Sequence, residues 1–439
     1  MMTFSRTTMK YKILSFAAFF MLISFLAPCL GAAKDYIDID APAFQKFPIA
    51  VTVFTKGGTD SDKEGLAIWF PDNLSKYLDM TGYFNILPRK AFIDDPARSQ
   101  GNINFGDWTT IGADYLVKGH FSGQGRDLSV EMRLYDTVRG VLLREKKYSA
   151  RTNDRKDMVI QFVNEILLVL TGERGVFNTQ IAYVHRQGRN SEIRTVTFDG
   201  SAQKQVTNYR SLTLAPRWSP DGQRISFTSY RDGNPDFYIA SMKGGAGKKV
   251  SSYPGLNLSG AWSPDGRKVL LTLSKDGNQE IYAMDSASGY LQRLTYDHAI
   301  DVSPVWSPDG KRIAFVSSRS GSPQIYTMDS DGKNVKRLTH EGNYNTSPSW
   351  SPKGDKIAYE STVGGVFQIF IISTDGGAAQ QVTSQGREHK HPSWSPDGRY
   401  LAITVKSGGI DRVAVINANG TNIRVLSEGS NPAWSQYFK

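Results

Sequence analysis

The residues best suited to chemistry in this sequence are the two histidines of His389-Lys390-His391. Side chains two positions apart on an extended segment point to the same side, so both imidazoles could bind one metal ion. Glu388 is the only carboxylate beside them, and the spacing offers no third ligand. We therefore predict no metal and no cofactor, and interpret the pair as either partner-binding or solvent-exposed loop residues.

A second polar cluster, Asp297, His298 and Asp301, lies within one loop. An acid–base pair also needs a nucleophile or a substrate pocket, and the sequence shows neither. The Gly-x-Ser-x-Gly motif of α/β hydrolases does not occur. We predict that the chain is not an enzyme and that these residues bind a partner or shape the loop.

Two further segments resemble ligand-binding motifs only in part. Asp329-Ser330-Asp331-Gly332 starts like a calcium loop but lacks the distal glutamate. Gly244-Gly245-Ala246-Gly247-Lys248 is followed by Lys249, where a phosphate-binding loop needs Ser or Thr. Both segments fall where a strand hairpin is expected, so we interpret them as turns.

The segments that must position these residues are copies of one another. The tag Trp-Ser-Pro recurs every 44 residues, at Trp218, Trp262, Trp306, Trp350 and Trp394. A period of this length with several short strands per copy is typical of a β-propeller. The first copy lacks its inner strand, which Asn431-Pro432-Ala433-Trp434-Ser435 can supply. We predict an all-β six-bladed propeller closed by the C-terminal strand, with its function in loops.

The sequence divides into three parts. Residues 1–33 resemble a signal peptide, with an apolar run after Arg6, Lys10 and Lys12, and we place the cut after Ala33. An uncleaved anchor and lipidation at Cys29 are less favoured alternatives, and cleavage would leave no membrane span. Residues 34–173 mix strand and helix patterns and predict an N-terminal α/β domain. Residues 174–439 form the propeller.

Two details of the predicted α/β domain can be checked. Pro71 falls inside a helical pattern, so we expect a kink or a restart near Asp72. A final helix should be capped by Asp154 and end at Gly172.

The net charge of +10 is unevenly placed. Residues 34–173 carry 18 basic and 20 acidic side chains, whereas residues 174–439 carry 31 basic and 22 acidic ones. No cluster of Lys and Arg appears, so we predict no nucleic-acid binding. The basic propeller fits an anionic partner or a solvated surface. We expect a monomer.

Together these features resemble the TolB family, periplasmic proteins of the Tol-Pal system of Gram-negative bacteria. The resemblance rests on the signal peptide, the α/β domain, the repeated Trp-Ser-Pro-Asp-Gly turns and the closing Asn-Pro-Ala-Trp-Ser. It implies a periplasmic, non-enzymatic scaffold that supports outer-membrane integrity and envelope constriction during division. It also implies two partners, the peptidoglycan-associated lipoprotein Pal and the inner-membrane protein TolA, and leaves room for other outer-membrane or peptidoglycan-associated proteins.

The resemblance also assigns surfaces. Pal would be bound by the loops between one blade's outer strand and the next blade's inner strand. Their candidate residues are Arg210, Asn257, His298, Asp301, Asn343, Asn345, His389 and His391. TolA would be bound by the peptide at 34–41, through Asp35, Tyr36, Ile37, Asp38, Ile39 and Asp40. The chain departs from the family pattern at Leu256 and Ser303, so individual contacts carry over less well than the surface.

Two other functions remain open at this point. The chain could be an exported propeller hydrolase or lyase that uses the histidines of the loops. It could also be a module that binds peptidoglycan, with Tyr209 and Tyr344 stacking on sugars. We expect alanine at Asn257, His298 and Asn345 to weaken partner binding without lowering thermal stability.

Overall fold

The computed structural model describes residues 45–58, 61–93, 103–124, 126–384 and 386–438. The predicted signal peptide and the peptide at 34–41 lie outside this part of the chain. Within the described residues, the α/β region has three helices and two 3₁₀ turns: α1 (Leu66–Met80), α2 (Phe105–Thr110), α3 (Arg155–Thr171), Arg89–Ala91 and Thr152–Asp154. Its strands are β1 (Phe47–Val51), β2 (Thr55–Lys56), β3 (Phe84–Ile86), β4 (Tyr115–Gln124), β5 (Asp127–Asp136) and β6 (Val141–Arg151).

These strands form one mixed sheet in the order β3-β1-β4-β5-β6, with β2 also paired to β4. β1 is parallel to both of its neighbours, whereas β4, β5 and β6 form an antiparallel meander. Alternate residues of β5, from Leu128 to Leu134, are buried in a core that also contains residues of α1 and α3. The period of two in this strand is what one covered sheet face requires.

Pro71 does not interrupt α1, so the predicted restart is wrong. A proline inside a helix leaves the carbonyl four residues earlier without its usual donor. Here that carbonyl belongs to Ala67, and it accepts the N–H of Phe54 at 3.0 Å. The tertiary structure therefore supplies the hydrogen bond that the helix loses.

Both ends of α3 lie where the sequence predicts them, with Asp154 at the N-cap and Gly172 at the C-cap. Gly172 ends the helix with φ of 77°, and its N–H donates to the Leu168 carbonyl at 3.0 Å. This left-handed conformation favours glycine. Asp154 stands at the N-cap, but its side chain makes no capping hydrogen bond.

The propeller consists of six four-stranded sheets. Blade 1 contains β7 (Gln180–Gln187), β8 (Asn190–Thr197), β9 (Gln203–Gln205) and, as its inner strand, β30 (Ser430–Trp434). The inner to outer strands of blades 2 and 3 are β10 (Thr213–Trp218), β11 (Arg224–Ser229), β12 (Asp236–Ser241), β13 (Lys248–Ser251), β14 (Asn257–Trp262), β15 (Lys268–Leu273), β16 (Glu280–Asp285) and β17 (Leu291–Arg293).

Blades 4, 5 and 6 repeat this order. Their strands are β18 (Asp301–Trp306), β19 (Arg312–Ser317), β20 (Gln324–Asp329), β21 (Lys336–Arg337), β22 (Asn345–Trp350), β23 (Lys356–Val363), β24 (Val366–Ser373), β25 (Gln380–Gln381), β26 (Glu388–Trp394), β27 (Tyr400–Ser407), β28 (Ile410–Asn417) and β29 (Arg424–Glu428).

The C-terminal strand closes the ring, as predicted. β30 runs antiparallel to β7, with Ala433 opposite Ala182 and Trp434 opposite Ile181. The amide of Gln180 donates to Ser435 Oγ at 3.0 Å, which continues the pairing beyond the strand. Closure removes the free inner edge that would otherwise be open to pairing with other chains.

The repeated Trp residues pack between neighbouring blades, and the repeated Asp residues form hydrogen bonds within the turns. Trp306 is buried among Leu270 and Ile281 of blade 3 and Ile313 of its own blade, so it fills the wedge between them. In the turn that follows, Ser307 Oγ donates to Asp309 Oδ1 at 2.5 Å, and Lys311 N–H donates to the same oxygen at 3.1 Å. These bonds account for the recurrence of Trp-Ser-Pro-Asp-Gly.

The α/β region packs against blades 1 and 6, and both belong to one compact unit. Tyr400 Oη donates to the Thr81 carbonyl at 3.0 Å, and Arg399 donates to Thr171 Oγ1 at 2.6 Å. α3 ends at Thr171 and β7 begins at Gln180, on either side of the proposed boundary between 173 and 174.

Candidate partner-binding surface

The loops predicted to bind a partner lie at one end of the propeller channel. Because successive strands of a blade are antiparallel, loops from outer to inner strands share this end with the hairpins between second and third strands. Asn278 of such a hairpin donates to the carbonyls of Asp297 and Ala299 in the neighbouring loop, at 2.9 and 2.8 Å. We call this end, formed by both sets of loops, the mouth face.

Four of the eight candidate residues are buried at the base of the mouth loops: Asn257, Asp301, Asn345 and His389. Asn257 is the first residue of β14, and its Oδ1 accepts from Ser251 Oγ at 2.8 Å and from Tyr253 N–H at 2.9 Å. Its Nδ2 donates to the Tyr253 carbonyl at 2.7 Å. The side chain therefore fixes the shape of its own loop and is not presented to a partner.

Asp301 and Asn345 occupy the equivalent position in the next two blades. Arg319 donates to Asp301 Oδ2 at 2.7 Å, while burial raises the pKa of this carboxyl against the opposing effects of Ser317 and Arg319. Asn345 Nδ2 donates to Gln324 Oε1 at 2.7 Å and to the Glu341 carbonyl at 2.7 Å. Both side chains are buried at the base of their loops and contact residues of the protein itself.

The two histidines of blade 6 have different surroundings. His389 Nδ1 lies 3.1 Å from Gln368 Oε1 in a buried position, whereas His391 lines the channel and has its Nδ1 3.3 Å from Thr404 Oγ1. The expectation that they point to one side is wrong, because His391 has φ of 53° and breaks the strand alternation. Within the described ranges no cluster of three His, Cys, Asp or Glu side chains has a metal-binding arrangement.

The remaining candidates reach the surface. Arg210, His298 and Asn343 are exposed on three different mouth loops. The loop of Arg210 is held from below, because Glu192 Oε1 accepts the N–H groups of Tyr209 and Arg210 at 2.7 and 2.6 Å. The exposed side chains therefore stand on loops with fixed backbones.

Sequence reasoning named Tyr344 as a ring that could stack on sugars, but it missed the other exposed apolar residues of the mouth face. Tyr296 is 76% exposed, Tyr344 43% and Tyr253 39%, and Leu212 and Ile300 are also exposed. The Arg293 guanidinium lies 4.7 Å from the Tyr296 ring centre, which holds the ring in place. Exposed aromatic rings next to cationic side chains are typical of protein-binding surfaces. The loop sequences contained these rings, but nothing in them distinguishes an exposed tyrosine from a buried one.

The positions that depart from the family pattern have different surroundings. Leu256 is half-buried, and its N–H donates to Ser274 Oγ at 2.8 Å. Ser303 lines the channel with φ of 54°. A partner at the mouth face would meet an apolar and a small polar residue at these two positions.

An α/β domain followed by a closed six-bladed propeller with a fixed, partly aromatic mouth defines a class of two-part propeller proteins. Residues 168–438 match the TolB beta propeller domain, and residues 35–143 match the TolB amino-terminal domain. The chain belongs to the TolB family.

Individual relatives support this assignment. The Tol-Pal system protein TolB of Syntrophus aciditrophicus is 53% identical over 213 residues, which are 47% of this chain and 47% of the relative. That of Desulfosudis oleivorans is 38% identical over 222 residues, 50% of each chain. The chain thus spans about half the length of the curated relatives it matches. The crystal structure of TolB from Acinetobacter baumannii superimposes with a TM-score of 0.79 at 27% identity, covering 89% of this chain and 97% of that one.

Proposed function

We propose that this chain is a periplasmic scaffold of the Tol-Pal system that binds Pal at the mouth face and TolA through the peptide at 34–41. In this role it supports outer-membrane integrity and envelope constriction during cell division, without catalysis. The family assignment supports the system, and the resemblance in sequence supports the two partners. None of the described helices has the length and apolar character needed to cross a bilayer.

The structure of the mouth face is the main support for the proposed binding of Pal. Its loops combine buried polar anchors such as Asn257 and Asn345 with exposed rings such as Tyr296. A fixed backbone lowers the entropy that binding must offset, and exposed rings supply the apolar area that protein interfaces bury. This arrangement suits recognition of a folded domain.

Charge adds a second, weaker argument. The propeller residues 174–439 have 31 basic and 22 acidic side chains, an excess that would steer an acidic partner toward the ring. Such steering is screened by salt, so we expect the association rate to fall as the NaCl concentration rises. An association rate independent of salt would remove this part of the proposal.

The test compares two exposed tyrosines on opposite ends of the propeller. Tyr296 lies at the mouth face, and Tyr290, which is 72% exposed, lies between β16 and β17 at the other end. We expect Tyr296→Ala to weaken binding of the soluble Pal domain by about tenfold or more, as removal of an interface aromatic commonly does. Tyr290→Ala should leave the affinity unchanged. Calorimetry on both variants and the unaltered chain measures the difference.

If the unaltered chain fails to bind Pal, or if the two variants lose affinity equally, the assignment of the mouth face is wrong. Peptidoglycan binding is the second candidate, because the 76% exposed Tyr296 ring could also stack on sugars. Retention of the chain on purified peptidoglycan in the absence of Pal, lost in Tyr296→Ala, would favour it.

A further inference from the structure

The inner strands of all six blades bulge at the same place. In every blade the register between inner and second strand shifts within the inner strand, for example between Val302 and Val305. Five of the bulges contain a non-glycine residue in the left-handed region, with φ between 52° and 56°: Ala215, Ser303, Ser347, His391 and Asn431. These residues line a central cavity of about 470 Å³, a volume in the range of small-molecule sites.

One blade places a cation in this cavity. Arg217 lines it from blade 2, at a position occupied in the other blades by Ala261, Val305, Ser349, Ser393 and Ala433. Among the described residues that line the cavity, the only other basic side chain is His391, and no lining residue is a carboxylate. The repeat itself therefore marks Arg217 as an exception among the six equivalent positions.

The guanidinium of Arg217 is largely unpaired. Its NH1 donates to the Pro216 carbonyl at 2.9 Å, and no other acceptor from the described part of the chain contacts it. Burial lowers the pKa of Arg217, and no neighbouring carboxylate opposes this effect. Arg217 is half-buried, and a guanidinium keeps its charge under such conditions, so the charge is less well solvated than in water and has no counter-ion among the described residues.

Glu360, a buried carboxylate beside His391, already has hydrogen-bond partners. Glu360 Oε1 accepts from Thr346 Oγ1 at 2.7 Å and from Ser347 Oγ at 3.1 Å, and Oε2 accepts from His391 N–H at 2.8 Å. No ion pair between Glu360 and Arg217 forms among the described residues. Arg217 also contributes, after burial, to lowering the pKa of His391, so the two basic groups are electrostatic neighbours.

We propose that the channel binds a carboxylate, held by the guanidinium of Arg217 and the imidazole of His391. A planar guanidinium with free donors matches a carboxylate, and such charge-assisted hydrogen bonds are among the strongest in proteins. Ser303 lines the same cavity from blade 4, and its hydroxyl can donate to the same ligand. Resting on the proposed function, we assign the carboxylate to an acidic side chain of the protein that covers the mouth face. A free carboxylic acid is the other source.

The first test measures binding of acetate and succinate by calorimetry, with phosphate and chloride as comparison anions at constant ionic strength. The variants are Arg217→Gln and, as a matched control, Arg267→Gln, whose side chain is 83% exposed and does not line the channel. We expect the unaltered chain and Arg267→Gln to bind the carboxylates, with affinity at least about tenfold weaker in Arg217→Gln. Arg217→Lys keeps the charge but loses the paired N–H donors of the guanidinium, so its affinity for the carboxylates should be intermediate.

Thermal denaturation without added anion separates a ligand site from a structural role. Because Arg217→Gln removes an unpaired cation, its melting temperature should equal or exceed that of the unaltered chain. A lowered melting temperature together with unchanged acetate affinity would overturn the proposal. Absence of carboxylate binding to the unaltered chain, or a preference for phosphate, would also overturn it.

The soluble Pal domain distinguishes the sources of the carboxylate. Weaker Pal binding in Arg217→Gln than in Arg267→Gln supports a side chain of the partner, whereas weaker acetate binding with unchanged Pal binding supports a free acid. If Pal binds the unaltered chain and Arg217→Gln changes neither the Pal affinity nor the acetate affinity, the channel site is wrong and the proposed function stands. If Pal does not bind at all while acetate binds through Arg217, the proposed function fails and the channel site remains.

Discussion

The indole N–H of Trp218 donates to the carbonyl oxygen of Ala433, 3.1 Å away. The donor belongs to blade 2 and the acceptor to the C-terminal strand of blade 1, so this bond connects the ring across its point of closure. The ring of Phe438 adds an edge contact, with its centre 5.7 Å from that of Trp218. The last residues of the chain are therefore part of the propeller core.

Ending the chain at Gly429 should open the ring. The truncation removes β30 and with it Trp434, whose loss alone typically costs about 3–5 kcal/mol. For a unit of this size we expect the melting temperature to fall by about 10 °C or more. Circular dichroism during heating measures it, and Phe438→Ala, which keeps β30, should cause a much smaller change. A full-length melting temperature in the truncated chain would show that β30 does not hold the ring.

Alanine substitutions at the mouth should separate loop anchors from contact residues. Asn257 is buried and its amide makes hydrogen bonds through both atoms, so Asn257→Ala should lower the free energy of unfolding by about 2–3 kcal/mol. This replaces the expectation from sequence that Asn257 and Asn345 could be changed without loss of stability.

His298 is exposed on the same face, so His298→Ala should leave the melting temperature unchanged. If His298 contacts Pal as we propose, the variant should weaken Pal binding. Urea denaturation and calorimetry on both variants test the separation. Equal stability of Asn257→Ala and the unaltered chain would contradict the assigned role of Asn257.

Asp397 should make stability depend on pH. Burial raises the pKa of this carboxyl to about 6, although Arg399 and Ser395 favour its ionised form. Glu173, Tyr400 and Tyr437 also lie in its surroundings. Because the folded state favours the protonated carboxyl, protonation of Asp397 stabilises the folded state. This contribution is fully present below the unfolded-state pKa of 3.8 and is lost as the pH rises through 6.

The variant Asp397→Asn removes the ionisable group and keeps a side chain of nearly the same shape. We expect the unaltered chain to lose about 2–3 kcal/mol of stability relative to Asp397→Asn between pH 4 and pH 7, an estimate from the two-unit shift. Denaturant titrations at several pH values measure the difference. Asp309→Asn is the control, because that exposed carboxyl has its pKa lowered by Ser307 and should give a difference of opposite sign. Parallel curves for Asp397→Asn and the unaltered chain would refute the prediction.

Deleting residues 34–41 should separate the two proposed partners. We expect loss of TolA binding with Pal affinity retained, because the mouth face is formed by propeller loops alone. Pull-down with each purified partner measures this. Loss of both partners from a folded deletion variant would mean that the two surfaces are not separate.

The sequence by itself determined the architecture. Turn chemistry and a strict 44-residue interval are local properties, so Trp306, Asp309 and their copies predicted the blades, and Trp434 predicted the closure. Helix limits set by local signals also followed, as at Gly172. Where a distant residue supplies a partner, local signals mislead: the restart expected at Pro71 does not occur, and the N–H of Phe54 donates to the carbonyl that the proline leaves without its usual donor.

Only the tertiary structure decided which polar residues are available to a ligand. Asn257 and His298 look equivalent in sequence, yet one is enclosed by its own loop and the other is exposed. Asp309 and Asp397 occupy the same turn position, but α/β residues cover only the second, and its pKa shifts the opposite way. Burial and charge depend on which parts of the chain meet in space, and a repeat does not encode those neighbours. For that reason Arg217, one cation in a ring of small residues, became a candidate site only when the six inner strands were brought together.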